Sequence, residues 1–210
     1  MLDLLYFDTD IAVCVKPAGV LSEGDDGNSM PHLLSLALKE RGYTAPLPYV
    51  VHRLDRETEG IMVFALNSSS AAALSLSAQN GDMQKIYHAL CVGSIEPDSG
   101  VLCDLLFYDR SRGKSFVVDR ERKGVKKASL EYTVLRRYAD RTLISVELHT
   151  GRTHQIRVQF ASRGHALCGD RRYGASADYG NRLCLCATSL SFTHPKTKER
   201  MKFEIDNPYK

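Results

Sequence analysis

Asp55 is the residue of this chain best placed for chemistry. It lies in the run His52-Arg53-Leu54-Asp55-Arg56-Glu57-Thr58-Glu59-Gly60, one carboxylate among cations. An ionised carboxylate so placed could serve as a nucleophile or as a base. Glu57 and Glu59 share its loop and cannot easily flank a substrate, so they are assigned to scaffold or surface and a two-carboxylate glycosidase arrangement is not expected. Residue types alone also fit a surface turn in which Asp55 pairs with Arg53 or Arg56, the commoner fate of such groups. A second polar segment, Leu148-His149-Thr150-Gly151-Arg152-Thr153-His154-Gln155-Ile156-Arg157-Val158, carries two histidines and two arginines. Its histidines are five residues apart, off the i, i+4 spacing of helical zinc ligands, and the chain has no G-x-G-x-x-G, no Walker phosphate loop and no H-E-x-x-H. Dinucleotide, ATP and zinc chemistry are therefore not expected.

These residues need rigid neighbours. Pro48-Tyr49-Val50-Val51 and Gly60-Ile61-Met62-Val63-Phe64-Ala65-Leu66 read as strands, which makes the polar nonapeptide a loop between two of them. Alternation in Leu130–Leu135 and Thr142–Leu148 predicts antiparallel strands. Apolar spacing predicts a helix over Met30–Arg41, and a serine cluster able to cap predicts another over Ser69–Gln79. A third, over Thr153–Ser162, would gather His154, Arg157 and Val158 at three- and four-residue spacing. The pattern is mixed α+β, with a largely antiparallel sheet and a few helices packed on it.

Composition narrows the class. The 210 residues suffice for one substantial core and no low-complexity linker divides them, so a single domain over residues 1–210 is expected. No stretch approaches the roughly 18 apolar residues of a membrane span, and the Met1-Leu2-Asp3-Leu4 start lacks a basic leader, so a soluble cytoplasmic protein is expected. The six cysteines include no C-x-x-C pair, which suggests reduced thiols and no metal site. Net charge is only +3, but between Arg110 and Lys127 eight basic residues face two acidic ones. That segment is read as an arm that follows a phosphate backbone.

The loop at 52–60 resembles the signature of the RluA-type pseudouridine synthases, and the segment 148–158 resembles that family's other diagnostic motif. Leu5-Tyr6-Phe7-Asp8 through Val15-Lys16-Pro17-Ala18-Gly19-Val20, Lys85-Ile86-Tyr87, Lys127–Tyr132, Gly169-Asp170-Arg171-Arg172-Tyr173-Gly174, and Leu183–Ala187 through Phe192-Thr193-His194-Pro195 are similar to further family blocks in the same order. Cys186 and Gln159 depart from it, standing where the family usually has a histidine and often a histidine or similar polar residue. The N-terminal S4 module often found in the family is not expected, because the family-like strand begins at about residue 3.

The resemblance implies the pseudouridine synthase fold, a long mixed, mostly antiparallel sheet spanning two subdomains with a central RNA-binding cleft. It implies an isomerase that breaks the C1′–N1 bond of a uridine, turns the uracil and rejoins it through C5. That reaction needs no cofactor and no metal, but it does need a base taken out of its stack. The implied catalytic residues are Asp55, as nucleophile or as the group that removes a ribose proton, Tyr87, stacking on the flipped uracil, and Arg157, pairing with the aspartate. The implied substrate-binding residues are Arg53, which helps displace the target base or occupies its vacated space, His52, Arg152 and His154, which line the cleft or brace its loops, and Leu185 beneath the uracil. Structured RNA, tRNA or rRNA, is the expected partner of a monomer. The competing reading is an RNA-binding or RNA-folding protein in which modification is incidental.

Overall fold

The computed structural model describes residues 2–24, 27–44, 47–176 and 180–209, so Met1 lies outside them. Eleven strands and three α-helices occur among the described residues, in the order β1 (Leu4–Phe7), β2 (Ile11–Lys16), α1 (Met30–Lys39), β3 (Tyr49–Val50), β4 (Glu59–Ala65), α2 (Ser68–Asn80), β5 (Gln84–Val92), β6 (Ser99–Asp109), β7 (Lys114–Val118), β8 (Val125–Arg137), β9 (Arg141–Leu148), α3 (Gln155–Ala161), β10 (Leu185–Thr193) and β11 (Arg200–Glu204). A 3-10 turn spans Arg171–Tyr173. The α+β class expected from the sequence is the class observed. The chain divides into two compact units, Met1–Lys85 with Ala187–Asp206, and Ile86–Cys186 with Asn207–Lys210.

In the first unit the strands follow the order β1-β2-β4-β10, with β3 on β4 and β11 on β10. β2 and β4 are antiparallel in unbroken register from Ile11↔Ala65 to Lys16↔Gly60. Both are buried almost throughout, because their runs of Ile, Val, Ala and Phe have no polar face to give to solvent. Ile11, Val13, Ile61, Val63, Ala65, Leu74 of α2, Met83, Leu190 and Phe192 form one cluster. The predicted helices at 30–41 and 69–79 are α1 and α2. Ser29 opens α1 with Pro31 in the first turn, where a missing N–H costs nothing. α2 is capped one residue before the serine cluster, since the side chain of Asn67 accepts the Ser70 N–H at 2.9 Å.

In the second unit the order is β5-β9-β8-β6-β7, each ladder antiparallel. β8 is longer than the alternation at 130–135 predicts, because Val125–Ala128 pair with Asp104–Phe107 of β6. The basic segment 110–127 accordingly forms the β6–β7 turn, β7 and the entry to β8. α3 is shorter than the predicted 153–162 and begins after His154, whose φ of 55° is left-handed. Its buried side packs Val158 and Ala161 with Leu106, Ala128 and Tyr173.

Candidate active site

Asp55 sits half-buried in a loop that is pinned on both sides of it. Before it, Ser22 and Leu54 exchange bonds, Oγ donating to the Leu54 carbonyl at 2.7 Å and the Leu54 N–H donating back at 3.0 Å. After it, the Arg56 carbonyl accepts the Gly19 N–H at 2.8 Å, and Arg56 Nε donates to the Gly19 carbonyl at 3.0 Å. The Thr58 N–H donates to the Asp55 carbonyl at 3.0 Å, closing a tight turn. Gly19 comes from the Lys16-Pro17-Ala18-Gly19 turn, where φ is +86°.

Lys16 completes this framework. Its side chain is fully buried, and Nζ donates to the carbonyls of Pro17, Arg56 and Thr58 at 3.0, 2.9 and 2.8 Å. All three ammonium protons are thereby used on backbone, two of the acceptors lying just after Asp55 in the chain. Burial pushes the Lys16 pKa down to about 8, while the carboxylates of Glu57, Asp55 and Glu59 pull it the other way. Sequence reasoning gives neither Lys16 nor Ser22 a role. A lysine between a strand and Pro17 was the available signal, since a cation at the end of a buried strand must find acceptors.

His52 is buried beneath the same loop, and its Nε2 accepts the Val63 N–H at 3.1 Å. Burial holds its pKa well below the usual value, with the nearby Lys85 charge adding to the effect, so the ring is neutral with the proton on Nδ1. Arg53 points the other way, exposed and paired with exposed Glu23.

In the second unit, Tyr87 is buried at the middle of β5, opposite Val146 of β9. Leu185 is buried at the start of β10. Arg157 lies on α3 at 5% exposure, where Nε and Nη2 grip both oxygens of Asp170 at 2.7 and 2.9 Å. The forked geometry fixes the guanidinium plane as well as its charge. Asp170 is itself buried, and sequence spacing alone does not point to this pairing.

His154 stands at the head of α3 with Nδ1 2.9 Å from the Tyr173 hydroxyl. Arg152 is exposed, and its Nε donates to the Lys127 carbonyl at 3.0 Å, tying the diagnostic segment to the basic strand β8. Gln159, one of the two departures from the family pattern, is buried and donates to Asp104 at 2.6 Å. Cys186, the other, is also buried. Among the described residues no three His, Cys, Asp or Glu side chains gather in a way that could hold a metal ion, and no helix is long and apolar enough to cross a membrane.

The strand order and the loop–strand placement define a protein of the pseudouridylate synthase fold. Two human proteins, RNA Pseudouridylate Synthase Domain Containing 4 and Domain Containing 1, superpose on it with TM-scores of 0.79 at 23% and 24% identity, covering 99% and 100% of this chain and 89% and 85% of theirs. The family model for RNA pseudouridylate synthases matches residues 10–162. An RNA pseudouridine synthase of Aquifex aeolicus is 37% identical over 223 residues, covering 99% of this chain and 70% of the relative. The ribosomal large subunit pseudouridine synthase D of Neisseria meningitidis is 34% identical over 221 residues, covering 99% of this chain and 58% of the relative. The chain belongs to the RNA pseudouridylate synthase family and is an isomerase that converts uridine to pseudouridine in RNA.

Proposed function

We propose that this isomerase acts on a uridine of structured RNA, tRNA or rRNA, that has been turned out of its stack, and that Asp55 is the carboxylate that carries the reaction. The observation that bears most weight is the bracing of Leu54, Arg56 and Thr58 by Ser22, Gly19 and Lys16, which immobilises the backbone around Asp55 while its side chain stays half-buried. A rigid frame of this kind holds a reacting group near its working geometry and so lowers the entropic part of the barrier. Asp55 either attacks the substrate or removes a ribose proton, and the same frame serves both routes. Tyr87 stacks on the uracil, because a ring face tolerates the turning of a detached base. Arg157 supplies a fixed positive charge for the reaction, Arg53 takes part in displacing the base, and Leu185 packs beneath it. His52, whose Nε2 holds the Val63 N–H, braces the loop from below. Arg152 and His154 hold the diagnostic segment against the RNA-facing strands.

Residues 1–210 work as one catalytic domain, in the cytoplasm and as a monomer. The basic segment 110–127 follows the phosphate backbone, and loop targets are favoured because their bases cost less to unstack. The ribosomal name of the Neisseria relative supports an rRNA target, and the choice between rRNA and tRNA is what a map would decide. The test is site-resolved pseudouridine mapping of total RNA from cells with and without the gene, complemented by wild type or by Asp55→Asn. A site lost on deletion and restored by wild type alone supports this reading and names the target. A site restored equally by Asp55→Asn removes Asp55 from the chemistry, and no lost site favours the RNA-binding alternative.

A further inference from the structure

Tyr173 closes the 3-10 turn after Asp170 and is 9% exposed. Its hydroxyl accepts the Ser115 N–H of β7 at 2.8 Å and meets His154 Nδ1 at 2.9 Å. The Ser115 hydroxyl in turn donates to the Thr153 carbonyl at 2.5 Å, so the strand and the segment leading into α3 are tied twice at one point. The ring of Tyr173 carries two cations, the Lys114 ammonium 4.8 Å and the Arg157 guanidinium carbon 5.2 Å from its centroid. It also meets the His154 ring edge-on at a centroid distance of 5.7 Å. One side chain thus touches the basic strand, the left-handed residue that starts α3, and the arginine on α3.

We propose that Tyr173 is a positioning residue for Arg157, setting the guanidinium against its ring while Asp170 sets the fork, and holding β7 in register with the head of α3. This rests on the isomerase mechanism with Arg157 in it. Asp170 fixes the guanidinium plane through two bonds, and the Tyr173 ring meets the same group from its face. The aromatic face adds a second constraint, since a cation above a ring is attracted by the ring's charge distribution. The hydroxyl contributes differently. By joining Ser115 and His154 it couples the strand that carries Lys114 to the helix that carries Arg157. An RNA backbone lying along the basic strand is therefore aligned with the arginine through one tyrosine.

The consequence is a separation of effects. Loss of the ring misplaces Arg157 and slows the chemical step, whereas loss of the hydroxyl alone keeps the ring under the guanidinium and loosens only its tie to β7 and His154. The experiment measures tritium release from total RNA tritiated at uridine C5 and taken from cells lacking the gene, using wild type, Tyr173→Phe and Tyr173→Leu. Circular dichroism melts accompany each variant. Tyr173→Leu is expected to lower the rate at saturating RNA by about 10- to 100-fold, as misplacement of a catalytic group by about 1 Å does, with half-saturation moving less than the rate. Tyr173→Phe melts below wild type, because the buried Ser115 N–H loses its acceptor, yet recovers most of that rate below its melt. A Tyr173→Leu rate equal to wild type, or a Tyr173→Phe rate as low as that of Tyr173→Leu, overturns the proposal. So does a loss expressed wholly in half-saturation. If wild type itself releases no tritium, the isomerase mechanism fails and the proposal with it, a result distinct from any difference among the variants.

Discussion

At the scale of single residues the carboxylate loop depends on a fully buried lysine bonded to backbone. Lys16 donates to three carbonyls, and a methionine in its place removes all three bonds, leaving the buried Thr58 carbonyl without this donor at about 1–3 kcal/mol while the Arg56 carbonyl keeps the Gly19 N–H. Lys16→Met is expected to lower both melting temperature and turnover, and a variant as active as wild type would remove the clamp from the mechanism. The pH dependence has two opposite parts. Because burial depresses the folded pKa to about 8 from the ordinary lysine value of 10.5, the unfolded chain holds this proton to higher pH. The contribution of Lys16 to folding stability therefore rises with pH between those values. Turnover is expected to fall over the same interval, since a neutral amine has two N–H donors for three carbonyls. A rate profile flat across that interval in wild type contradicts this role.

Arg157 on α3 and Arg163 just past its end offer a matched pair. Arg157 is buried and forked to Asp170, while Arg163 is more exposed and bonded to Asp104. Arg157→Ala is expected to lose most turnover and Arg163→Ala to keep it, so equal rates from the two would withdraw Arg157 from the active site. The loop at 52–60 was legible in sequence through its resemblance to the family signature, since its residue types alone also fit a surface turn. The Arg157–Asp170 pair was less so, since the partners are thirteen residues apart and are joined by tertiary packing. Lys16 was hidden for a related reason. A lysine reads as a surface residue until the carbonyls around it are known.

At the scale of elements, the strands beside the loop leave little room for change. A methyl group on Gly60, which has φ +126°, would overlap the Ala187 backbone of β10. Gly60→Ala must push β4 and β10 apart, and is expected to cost about 2–3 kcal/mol, or roughly 5–10 °C in melting temperature for a chain of this size. A melt unchanged from wild type would show that the strands yield freely there. The basic strand is tested by salt. Replacing Lys126 and Lys127 together by glutamine should reduce the slope of log affinity against log salt by about 0.7–0.9 for every phosphate left without its cation, and an unchanged slope would take this strand out of the interface.

The element pattern also shows what periodicity could and could not supply. α1 was readable from its local apolar spacing and α2 from the polar cluster at its start, although Asn67 is the residue that caps it. β7 and the entry to β8 were not, because Arg110–Lys127 is too polar to alternate and becomes strand only by pairing with β6. The start of α3 moved to Gln155 because His154 takes a left-handed conformation bonded to Tyr173, a tertiary preference that overrides helix spacing.

At the scale of the whole molecule, family membership fixes the reaction as uridine isomerisation, and each unit carries residues proposed for it. The first holds a carboxylate on a braced loop. The second holds a buried tyrosine on a strand and an arginine locked by an aspartate. The central claim is that Asp55 performs the chemistry and is not needed for RNA to bind. It is tested most directly by measuring tritium release from C5-tritiated RNA and RNA affinity side by side for wild type and Asp55→Asn. The expected result is release by wild type, none detectable from Asp55→Asn, and dissociation constants within a few-fold of each other. Release by Asp55→Asn at the wild-type rate would contradict it.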